Sequence, residues 1–108
     1  MAFKQTWTAL QGQLRPRQVI PNWTAQRGLV GEPFEIVEMT SESIVVGPPG
    51  ARDSQKVRRA DFEAVYNRWP EYIAGTIPRS SFTPLTRYSK YVISILYWLH
   101  QQSGGRLP

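Results

Sequence analysis

The chain has 108 residues and a formal net charge of +5, from thirteen Lys and Arg against eight Asp and Glu. That length suits one domain rather than two and is enough to bury roughly two-thirds of the unfolded surface. The absence of cysteine excludes disulfides and thiolate zinc sites, so packing alone must hold the fold and a reducing, cytoplasmic setting is expected.

Phe3, Trp7, Leu10 and Leu14 recur at helical spacing, which predicts an amino-terminal helix ended by Pro16. No apolar core of a signal peptide follows Met1. Residues 15–33 hold three prolines and two glycines among scattered apolar side chains, and are expected to form a connecting strap. From Phe34 the period changes. Phe34–Met39 and Ile44–Val46 read as a β-hairpin, Gly47-Pro48-Pro49-Gly50 as a turn, and Lys56–Arg58 as a third strand.

Phe62, Val65, Tyr66 and Trp69 mark a second helix, which Pro70 should stop. Residues 74–86 read as a loop, with Thr83-Pro84 or Thr86 as alternative starts for a last helix reaching Gln102. Tyr88, Tyr91, Val92, Ile95, Leu96 and Leu99 form its apolar stripe, and residues 103–108 should fray. The apolar run 91–99 has about half of the roughly 20 residues a membrane span needs, so no membrane role is expected. The expected architecture is therefore α+β, one domain over 1–108, with a three-stranded antiparallel sheet over 34–59 covered by two or three helices.

Catalytic chemistry finds little footing. His100 is the single histidine and sits near a helix end, tied to no nucleophile or metal spacing. The Gly-Pro-Pro-Gly turn lacks the backbone N–H groups that cradle phosphates, and simple alternation puts Glu35 and Glu38 on opposite sheet faces, splitting the acidic segment. No catalytic residue, metal or cofactor is implied, and an enzyme is not expected.

Charge is more informative. Residues 1–31 are purely basic and 32–42 purely acidic, while the remainder is net basic. Arg52, Lys56, Arg58 and Arg59 cluster around the third strand, Arg79 lies in the loop, and Arg87 and Lys90 open the last helix. These seven are the candidate nucleic-acid-binding residues, because arginine pairs with phosphate in a bidentate fork. Arg87, Lys90, Ser94, Tyr97 and Gln101 also share one face of the last helix, which would suit a phosphate backbone or simply meet solvent. Tyr72, Phe82, Tyr97 and Trp98 lie off the cleanest apolar stripes and serve either as core or as a platform for stacked bases. A second reading is a protein-interaction or self-assembly module that uses exposed Trp and Tyr.

The run from Val57 through Asp61-Phe62-Glu63 to Tyr66, then Arg79, then Tyr88-Ser89-Lys90-Tyr91-Val92 to Leu96, resembles a small uncharacterised bacterial domain found in or beside restriction and defence genes. The likeness spans about residues 34–99. It implies an accessory nucleic-acid or protein contact role and lends no catalytic residue.

Overall fold

A computed structural model describes residues 3–50 and 53–108. The class is α+β. Helix α1 (Phe3–Gln13) buries Phe3, Thr6, Trp7 and Leu10 along one face, as the spacing requires. Arg17 then turns the chain in the left-handed region, with φ of 72°, and donates its N–H to the Ile36 carbonyl at 2.6 Å. That turn delivers strand β1 (Val19–Ile20) onto the sheet.

The sheet has four antiparallel strands rather than three, in the order β1-β4-β5-β6, where β4 is Phe34–Thr40, β5 is Ser43–Gly47 and β6 is Gln55–Arg58. The extra strand comes from the strap, whose remaining residues form a separate hairpin of β2 (Trp23–Thr24) and β3 (Gly28–Leu29). Between Ile36 and Glu38 the β4–β5 register shifts, so Val37 is a bulge and Glu38 pairs with Val45 while Met39 pairs with buried Ile44. A bulge resets the alternation. Glu35 and Glu38 therefore share the outward face, contrary to the simple alternating pattern.

On the inward face, Ile36, Ile44, Val46 and Val57 meet the apolar stripes of α2 (Arg59–Tyr66) and α4 (Ser89–Gln102) in one core. Helix α2 opens with Asp61, whose Oδ2 accepts the Arg58 N–H at 2.9 Å. Pro70 does not end a helix as expected. It lies in the first turn of a new one, α3 (Trp69–Ile73), where a missing N–H is harmless.

The last helix begins later than either expected start. A short 3₁₀ turn at Arg79–Phe82 buries Phe82, and Thr86 folds back so that its N–H reaches the Phe82 carbonyl at 3.0 Å. Its Oγ1 accepts the Tyr88 N–H at 3.0 Å, offering the backbone a turn in place of a helical bond and delaying α4 to Ser89. Beyond α4, residues 103–108 pack rather than fray. The Gly105 N–H bonds the His100 carbonyl at 2.9 Å, Leu107 rests against the core, and the Pro108 carbonyl accepts the Thr6 hydroxyl at 2.7 Å.

Candidate nucleic-acid interface

Strand β6 is an edge strand, and its outward positions alternate: Lys56 pairs with Val45 and Arg58 with Ser43, so both cations leave the sheet on the face away from the core. The segment 83–88 wraps beside that edge. Lys56, Arg58, Thr83, Leu85, Arg87 and Tyr88 line one shallow depression between them. A second depression, lined by Gln55, Arg79, Arg87, Tyr88, Lys90 and Tyr91, adjoins it, because Arg87 and Tyr88 belong to both. A third adjoins the second through Arg79, and adds Arg27 from the β2–β3 turn.

Three linked depressions thus form a track with six cations, Arg58, Lys56, Arg87, Lys90, Arg79 and Arg27, all of them exposed. Among the described residues, none of the six is in an ion pair within 4.0 Å; the two ion pairs present are Arg59–Glu42 and Arg68–Glu71. Asp61 is the one carboxylate lining the track, and its Oδ2 already accepts the Arg58 N–H. Aromatic rings back the cations. The Arg87 guanidinium lies 5.5 Å from the Tyr88 ring centre and the Lys90 ammonium 5.2 Å from that of Tyr91. Such contacts hold long side chains in place at small cost to their charge.

Five of the seven candidate residues meet here. Arg52 lies outside the described residues. Arg59 turns to the other side, where its guanidinium sits 5.6 Å from the Phe3 ring and 6.0 Å from Trp7, and 4.0 Å from the Glu42 carboxylate. It is half-buried and serves packing. Arg27 escaped the sequence reading, since nothing local ties the β2–β3 turn to Arg79.

The polar face expected along α4 is not a free surface. Ser94 is buried and its hydroxyl accepts the Trp23 N–H at 2.9 Å, while Tyr97 stacks on Trp23 with ring centres 3.5 Å apart and planes within 4°. The β2–β3 hairpin covers the middle of that face at Ser94 and Tyr97, while Arg87, Lys90 and Gln101 stay exposed. Nor is there a stacking platform of the kind envisaged: Tyr72 and Phe82 are wholly buried against each other. Among the described residues no Trp or Tyr is fully exposed. Trp7, Trp69 and Tyr72 are core, and the others are half-buried.

Against known proteins, no family model matches the chain, and no curated protein or solved structure matches it either.

Proposed function

We propose that the chain binds nucleic acid through the phosphate backbone, along the track from Arg58 to Arg27. The observation that carries this reading is the merging of six exposed cations from four separate segments, with Asp61 as the only carboxylate among them. Phosphate contacts of this kind position a strand and carry little sequence information. Exposed apolar Leu85 and half-buried Tyr88 within the track add contact area for sugars and bases. The rival reading, a protein-interaction module, would rest on half-buried Trp and Tyr side chains, which are not gathered with the cations of the track apart from Tyr88 and Tyr91.

Fluorescence anisotropy with labelled duplex and single-stranded oligonucleotides tests the proposal. If about five phosphates are neutralised, affinity for duplex falls about 500-fold between roughly 50 and 200 mM salt. The variant Lys56→Glu/Arg87→Glu should abolish binding, whereas Lys4→Glu/Arg15→Glu, with the same net charge but altered away from the track, should retain most of it. Equal losses in both variants would reduce the effect to general basicity and remove the site.

A further inference from the structure

The outward face of the sheet carries a charge pattern of its own. Residues paired across strands share a face, so the register of β4, β5 and β6 sets Glu38, Val45 and Lys56 in one outward row. Glu38 and Lys56 are exposed and Val45 is half-buried, and among the described residues neither charge is in an ion pair. Glu35, the other outward carboxylate of β4, already accepts the Gly50 N–H at 3.2 Å. Exposed apolar side chains frame the row. Val19, 50% exposed, pairs with Glu35 from β1, Val37, 41% exposed, is the bulge, and Leu85, 51% exposed, lines the depression beside β6 with Lys56 and Arg58. Single exposed apolar residues need no explanation, but their gathering on one face does.

The row is complementary to itself. A two-fold axis running along β5, in the plane between two copies, carries β4 of one copy over β6 of the other. Val45 then meets Val45 at the axis, and Glu38 of each copy meets Lys56 of the other. Sheets packed face to face stand about 10 Å apart, a gap that opposed Glu and Lys side chains span. The same rotation brings β1 over the segment 83–88 of the other copy, so exposed Val19 faces exposed Leu85. An axis across the strands would instead set β4 over β4 and Glu38 against Glu38. The charges therefore select one arrangement, and it is closed, as an isologous interface must be.

We propose that the outward sheet face docks a second copy of this chain, in a two-fold dimer held by two Glu38–Lys56 pairs around a Val45 centre. The dimer does not rest on nucleic-acid binding. Lys56 also belongs to the basic track, so a nucleic-acid strand and a second copy compete for that side chain.

The experiment is sedimentation velocity of the full chain without nucleic acid, from about 1 μM to about 1 mM, a span that covers weak and moderate affinities. Salt is held at about 150 mM, where repulsion between two chains of net charge +5 is largely screened while contacting pairs are not. The parent should pass from one chain to two as concentration rises. Glu38→Lys and Lys56→Glu, both at exposed positions away from the core, each set like charges together twice across the axis and should weaken the dimer at least about tenfold. Mixed in equal amounts, the two variants again present opposite charges to each other and should form a heterodimer with the parent's affinity. A parent that stays monomeric throughout, single variants that dimerise as the parent does, or a mixture that stays monomeric would each overturn the proposal. Oligonucleotide anisotropy is read separately, so either the dimer or the basic track can fail alone.

Discussion

The Trp23 backbone N–H donates to the Ser94 hydroxyl at 2.9 Å, so a side chain in the middle of α4 completes a strand of only two residues. The same hydroxyl lies 3.3 Å from Asn22 Oδ1. Ser94→Ala leaves the part-buried N–H unpaired and should cost about 1 kcal/mol. Urea denaturation measures the loss, and faster hydrogen exchange at the Trp23 amide locates it. A variant as stable as the parent would mean that the β2–β3 hairpin is held by the Trp23–Tyr97 stack instead.

Arg59 and Lys56 are three residues apart and should behave oppositely. If the track binds phosphate as proposed, Lys56→Gln removes one contact, so the slope of log affinity against log salt should become shallower by about 1 with stability unchanged. Arg59→Gln should leave nucleic-acid affinity in place and lower the melting temperature through the lost contacts with Phe3 and Trp7, worth about 0.5–1 kcal/mol. Anisotropy and thermal denaturation on both variants separate the two roles.

Gly47 and Gly12 make a second contrasting pair. A Cβ at Gly47 would stand 2.7 Å from the Asp53 carbonyl oxygen, where backbone must yield, whereas one at Gly12 meets nothing within 4 Å. Gly47→Ala should destabilise by about 1–3 kcal/mol. Gly12→Ala, inside α1, should stabilise by about 0.5–1 kcal/mol. Chemical denaturation of the two variants reads both signs.

His100 makes stability depend on pH in a defined direction. Desolvation lowers its pKa in the folded state, below the ordinary 6.5, so between those two values the unfolded chain binds more protons than the folded one. Its contribution is complete above about pH 6.5 and declines as pH falls toward the folded-state value. Melting temperature should therefore drop on acidification through this window, and His100→Gln should flatten that part of the profile. A profile identical in the variant would assign the acid sensitivity to other groups.

The elements that were legible in the sequence are those whose signal is local and long. Eleven residues of α1 repeat Phe3, Trp7 and Leu10 at helical spacing, and α4 repeats Val92, Ile95, Leu96 and Leu99, so periodicity alone suffices. Strand β1 has two residues, too few for any period to show, and exists because Arg17 and Gln18 bond across to Ile36. The bulge at Val37 and the capture of Ser94 by Trp23 are likewise invisible, since each is decided by a partner distant in sequence. For the same reason Lys56, Arg58, Arg79, Arg87 and Lys90 were recognisable as cations, but not Arg27, whose place beside Arg79 is a product of how the hairpin docks.

The bulge at Val37 has an electrical consequence. It leaves Glu35 and Glu38 on the same side of the sheet as Lys56 and Arg58, with β5 between them. Two inter-strand spacings are about 10 Å, more than the screening length of about 8 Å at physiological ionic strength, so neither pair neutralises the other. The face thus has a negative half and a positive half, and on the proposed reading a rod of uniform negative charge would be pushed off β4 and drawn to the β6 rim.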